Sequence, residues 1–174
     1  MTLTPNSDSA RILREARRKK VDTAGSYDEL FETVKRVVEE ELGEHRAGLS
    51  LVLTNMPNEV GAYHPVGANV IVLNKSLIVG LEQITRNPKQ VNSFIFMVLI
   101  HEYLHSLGYL DENEVRKTAK QICADALGED HPTVKLATAN WLELFPQLRK
   151  TTPSNSREVE FVRKFDSSSM GYIG

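Results

Sequence analysis

Cysteine is nearly absent. Cys123 stands alone among 174 residues, so no disulfide can close within the chain. That fits a reducing compartment, and a cytoplasmic protein is expected. Long apolar runs are absent too. The longest, Phe94 to Ile100, is far short of the roughly 20 residues a helix needs to span a bilayer, so no membrane partner is expected. No apolar stretch follows Met1, and no export leader is expected. An excess of one charge sign is also missing. A net charge of −2 excludes a chain built as a whole to hold nucleic acid or an anionic surface. Internal repeats and low-complexity blocks are missing, which sets aside solenoids and fibres.

What is present is an ordinary globular composition, 41% hydrophobic and 25% charged, in a chain long enough for one domain with a real core. Charge is uneven only at the start. Six of the ten residues from Arg11 to Lys20 are basic, but no aromatic residue is interleaved to stack on bases. This reads as a solvated helical arm, partly frayed, and nucleic acid is not an expected partner. Three regions follow: the basic arm over 1–25, a domain over 26–146, and a polar linker with a tail over 147–174.

Within the domain, Ser26-Tyr27-Asp28-Glu29 is a capping box, and Leu30, Val34, Val37, Val38 and Leu42 continue it as an amphipathic helix. Strands are expected at 49–53, 61–66 and 69–73, and a helix at 75–86 that Asn87-Pro88 ends. Residues 91–107 form the next helix. Its segment Phe94 to Ile100 is apolar on every side, the pattern of a helix buried in mid-fold. It turns polar at His101, and Gly108 suits a left-handed end. Further helices are expected over 111–127 and from Pro132 to about Phe145, and a weak strand within 158–165.

The polar end of the buried helix reads His101-Glu102-Tyr103-Leu104-His105, an H-E-x-x-H pattern. Residues four apart share a helix face, so both imidazoles can reach one Zn²⁺ at about 2.0–2.1 Å. Glu102, at the edge of that face, is badly placed as a ligand and well placed as a base. Zinc would polarise a peptide carbonyl and acidify water, with Glu102 taking the water's proton and handing it to the leaving amine. The bland alternative is a helix end that happens to be polar. Three ionisable groups closing the most apolar helix of the chain need pairing or a metal, which that alternative does not supply. A zinc-binding module without turnover, serving a regulatory role, is the functional alternative.

HEYLHSLG, set after three short strands and a helix, resembles the zincin superfamily of metallopeptidases, and the chain is similar to its small single-domain members such as the minigluzincins. The resemblance implies an α+β fold: a short, twisted, mostly antiparallel sheet packed on a central active-site helix, followed by a helical C-terminal part. It implies a zinc-dependent peptidase acting on a peptide or flexible protein segment. It also implies that a sheet edge binds substrate as an added strand. Here 69–73 is the candidate edge, with Val70 and Val72 as substrate contacts and 61–64 beside it. Tyr63 and His64 are candidates for substrate binding or oxyanion stabilisation, against a plain reading as exposed loop residues.

Catalytic zinc takes three protein ligands and a water, and the third ligand is open. The longer pattern H-E-x-x-H-x-x-G-x-x-H/D resembles metzincins and selects Asp111 as the third ligand beside His101 and His105. The gluzincin alternative takes a glutamate from the next helix, Glu114, with Glu112 beside Asp111. His131 is a further alternative, against a reading as a helix cap ahead of Pro132. The plain reading of Glu112 and Glu114 is favourable charge at a helix N-terminus. A calcium loop is excluded, because its sixth position is Arg116 and not glycine. Ser168-Ser169-Met170-Gly171-Tyr172 matches the metzincin methionine turn on paper. Self-inhibition by the C-terminal tail is implied by resemblance alone.

Overall fold

The computed structural model describes residues 7–166. Its centre is the helix that the apolar pattern marks. Counting in chain order, α1 is Ser7–Asp22, α2 Tyr27–Leu42, α3 Lys75–Thr85, α4 Pro88–Ser106, α5 Glu112–Leu127, α6 Pro132–Thr138 and α7 Trp141–Leu144. The strands are β1 Ser50–Thr54, β2 Ala62–Tyr63, β3 Val70–Asn74 and β4 Val159–Phe161. This is an α+β fold. α4 packs against α1, α2, α3, α5 and α6, with Phe96, Leu99, Ile100, Tyr103 and Leu104 fully enclosed. Burial of that order contributes about 1.5–3 kcal/mol per large apolar side chain, so α4 is the hub on which the other helices are stabilised. Among the described residues, no helix is long and apolar enough to cross a membrane.

Asn87 and Pro88 open α4 as well as closing the helix before it. The Asn87 side chain accepts from Lys89 N–H and Pro88 takes a first-turn position, where its missing N–H costs nothing. The basic segment is a complete helix that docks on α2, α4 and α5. Val21 is buried, Arg17 pairs with Glu40, and Arg18 reaches Asp130 at 2.7 Å and the Leu127 carbonyl at 3.0 Å. Its arginines thus anchor the helix through cross-chain pairs, and the expected frayed arm is not what forms.

The sheet runs β2-β3-β1-β4. β1 and β3 pair in parallel from Ser50↔Val70 to Thr54↔Asn74, while β2 and β4 add antiparallel on the two sides. Two of the three pairings are antiparallel, but the longest is parallel. β3 is therefore internal, and β2 is the edge on its side. Asn74 explains the arrangement. Fully buried, its side chain donates to the carbonyls of Met56, Pro57 and Val60 and accepts from Met56 and Leu77 N–H. It caps α3 and folds residues 56–60 back, so that Gly61 and β2 run alongside β3.

The expected single helix from Pro132 to Phe145 is broken. Ala139 is extended, and Asn140 starts α7 by accepting from Leu142 N–H. The break turns Trp141 edge-on to Phe94 (centroids 5.6 Å apart), with its Nε1–H donating to the Asn58 carbonyl at 2.8 Å. Residues 146–150 are a 3₁₀ turn with Leu148 fully buried, more ordered than a linker. The chain then reaches β4, Phe165 stacks on Phe31, and buried Asp166 accepts from Leu49 N–H and pairs with Lys35. The described part of the tail thus lies along β1, two strands from β2. The methionine-turn match and the last segment of the proposed inhibitory tail fall outside the described residues.

Candidate metal centre

α4 delivers His101 and His105 one turn apart, both partly buried. The helix ends at Ser106, and Gly108, at φ +104, makes the turn that a side-chain-bearing residue resists. Tyr109 N–H bonds back to the Leu104 carbonyl at 3.2 Å, and this brings the Tyr109 carbonyl to 2.7 Å from His105 Nδ1. Nδ1–H donates there, which fixes the tautomer and leaves Nε2 as a free lone pair. Arg46 secures the same helix end. Its guanidinium donates to the Ser106 carbonyl at 2.6 Å, and its backbone N–H donates to the Tyr103 hydroxyl at 2.8 Å. Sequence reasoning missed Arg46, because nothing near position 46 marks it as the partner of a helix end 60 residues away.

The two Nε2 atoms face each other at 3.2 Å. Glu112 closes the group. Its Oε1 is 2.9 Å from His105 Nε2 and its Oε2 is 3.2 Å from His101 Nε2. Among the described residues, these three side chains form the group able to hold a metal ion, with one ligand atom from each within 4.8 Å of the others. Two ligand atoms held tetrahedrally at 2.0–2.1 Å from one ion lie about 3.3 Å apart, so the imidazole spacing fits Zn²⁺. Two imidazoles and a carboxylate are also the donor set that a hydrolytic zinc takes.

The other candidates for third ligand stand elsewhere. Asp111 is the N-cap of α5, its carboxylate accepting from Glu114 N–H at 2.8 Å. The expectation that Asp111 joins the histidines is not met, because its short side chain is spent on the helix start. Glu114 sits one position into the first turn beyond Asn113 and does not join the group either. His131 is buried and caps α6, with Nδ1 at 3.0 Å from Thr133 Oγ1 and Nε2 at 2.9 Å from Asp22. Both its ring nitrogens are engaged. Asp111-x-x-Glu114 has capping-box spacing, and that was the available signal that Asp111 serves the backbone and Glu112 the cleft.

Glu102 is buried, 6% exposed, beside the group. Burial first, and the Glu112 carboxylate second, push its carboxyl up to about 8. A cation bound next to it would pull that value back down. Burial holds the His101 imidazole below its ordinary range, against the opposing pull of Glu112. A neutral imidazole is the ligand form. Cys123 is a small buried hydrophobe, its thiol pushed up to about 12 by desolvation.

His101, Glu102 and Glu112 open on a cleft of about 470 Å³. Its wall includes Gly61 and Ala62 of the edge, Met97 and Val98 of α4, Glu112 and Arg116 of α5, and Trp141. Gly61 lets the edge close on α7, since a Cβ there would meet the Trp141 ring at 3.2 Å. The expected substrate contacts are placed differently. β3 is covered on this side: Tyr63 pairs with Val72, Ala62 with Leu73, and His64 Nδ1–H donates to the Val70 carbonyl at 2.9 Å. Val70 and Val72 therefore have no open edge to offer. Tyr63 is exposed, and neither it nor His64 lines the cleft.

A family model described as metallopeptidase toxin 3 matches residues 10–130, which span α1 to the end of α5 and every member of the histidine–glutamate group. The chain belongs to the metallopeptidase toxin 3 family. Membership in this metallopeptidase family implies a metal ion, and His101, His105 and Glu112 are the residues able to take it. No curated protein and no solved structure matches the chain.

Proposed function

We propose that the protein is a zinc-dependent peptidase, with His101, His105 and Glu112 as the metal ligands and Glu102 as the general base. The observation that carries this reading is the pair of Nε2 atoms 3.2 Å apart, bracketed by the two oxygens of one carboxylate. Bound there, Zn²⁺ would supply Lewis-acid polarisation of the scissile carbonyl and acidify a water. The chain's own groups do the rest. Tyr109's carbonyl orients the His105 ring, and Glu102 accepts the water's proton on its carboxylate and returns it to the leaving amine. Burial of Glu102 favours the first of these transfers, because a desolvated carboxylate is the stronger base.

The edge strand supports a peptide substrate. Asn74 N–H donates to the Gly61 carbonyl at 3.0 Å, so the Gly61/Asn74 pair is hydrogen-bonded. Alternation along an antiparallel ladder then bonds Tyr63 to Val72 and turns the Ala62 N–H and carbonyl away from β3. Ala62 lines the cleft. Its outward groups suit an extended peptide laid along β2 as a further strand. A toxin's substrate, on this reading, is an exposed, flexible segment of a target protein.

The test is the metal content of purified protein with cleavage of a broad peptide library, for the parent and for Glu102→Gln. The variant should keep stoichiometric zinc and cleave at least about 100-fold more slowly. Cleavage by the variant at the parent's rate would refute the mechanism. Zinc without cleavage in the parent would make the chain a binding module instead.

A further inference from the structure

Arg116 is the cation of the cleft wall, and the metal group and base leave it without a role. It lies one helical turn past Glu112, so the face of α5 that offers a carboxylate to the histidines offers a guanidinium to the cleft. Its charge reaches His101, where it opposes protonation. Arg116 is exposed and, like several other arginines, makes no hydrogen bond or ion pair among the described residues; what sets it apart is its place in the cleft wall. The other charged groups of the lining are Glu59, Glu102 and Glu112. A divalent cation would offset the last two, leaving Arg116 as the cationic side chain of the lining and Glu59 as its remaining carboxylate.

We propose that Arg116 binds a carboxylate of the peptide substrate next to the scissile bond, and so makes the enzyme selective for acidic segments or for free chain ends. The proposal rests on the peptidase reading. A guanidinium matches a carboxylate with two parallel hydrogen bonds, which a neutral amide cannot reproduce. Met97, Val98 and Trp141 give the same cleft an apolar wall, so the preferred segment pairs an acidic group with an apolar side chain.

The test uses zinc-loaded Glu102→Gln protein, which holds peptides without depending on turnover. Peptide pools with glutamate or glutamine at each position, and with free or amidated C-termini, separate the side chain from the chain end as the source of the carboxylate. One of the two acidic forms should bind about tenfold tighter than its neutral match, and the preference should fade as salt rises from about 0.05 to 0.5 M. Adding Arg116→Gln should bring the pair within about twofold, and Arg116→Glu should favour lysine at the same position. Equal binding of acidic and neutral peptides, a preference that survives Arg116→Gln, or no peptide binding at all would overturn the proposal. So would an Arg116→Gln enzyme whose kcat falls equally on acidic and neutral peptides at unchanged KM, since that marks a transition-state group. Failure of the peptidase reading shows separately, as no cleavage by the zinc-loaded parent.

Discussion

Two clusters of histidine and carboxylate sit at the two ends of α5, and they differ in where their lone pairs go. In one, His131 is fully enclosed and each ring nitrogen has its own partner, Thr133 on one side and Asp22 on the other. In the other, His101 and His105 turn their Nε2 atoms toward each other, and one carboxylate serves both. The first cluster is complete without a ligand. The second converges on a single point. Burial alone does not mark a functional histidine, since the more buried of the two clusters is the structural one. What separates them is whether the partners diverge or converge.

The largest expected effect breaks the convergent cluster. His101→Ala or Glu112→Ala should abolish tight zinc binding, and with it the stabilisation that metal adds. That loss is about 4 kcal/mol, or roughly 10 °C in Tm, at saturating metal. Scanning calorimetry with and without chelator checks it, and the His131→Ala variant should keep its full response to chelator.

The pH dependence sharpens the comparison next, in metal-free protein. Glu102 has a folded value of about 8 against an ordinary 4.5, so the folded state holds its proton more tightly. Stability from this group is therefore greatest below about 4.5 and falls as pH rises toward 8, by on the order of 5 kcal/mol. Glu102→Gln should flatten that fall in denaturant unfolding. His131 runs the opposite way. Burial lowers its folded value below 6.5, so its contribution is present above that pH and is lost on acidification.

His131→Ala should cost about 2 kcal/mol of unfolding free energy, through the lost cap and the lost hydrogen bond to Asp22, with zinc stoichiometry unchanged. The smallest effect tests the turn within the convergent cluster, between His105 and Glu112. Gly108→Ala forces a side chain to φ +104 and should cost about 1 kcal/mol, with a modest drop in metal affinity read by competition with a chromogenic chelator.

What the sequence disclosed followed contact range. The α4 hub, the pairing of His101 with His105, and Gly108 as the helix stop all rest on neighbours within one or two turns. Composition and spacing record such contacts. At the start of α5 the longer metal motif points to Asp111, whereas the structure has Asp111 accepting from Glu114 N–H and groups Glu112 with the histidines. The internal position of β3 depends on Asn74 folding residues 56–60 back along it, and the docking of 159–166 depends on Phe31 and Lys35 far up the chain. The break at Asn140 reflects Trp141 seeking Phe94 and Asn58. Apart from the Asp111 cap, these partners are distant in sequence, so periodicity could not report them.

The acceptor that steers His105 is a main-chain oxygen and not a carboxylate side chain. No single base change can delete it, because every amino acid carries the same carbonyl at position 109. Evolution could therefore have varied the Tyr109 ring, which touches Glu44, while the imidazole behind it kept its aim.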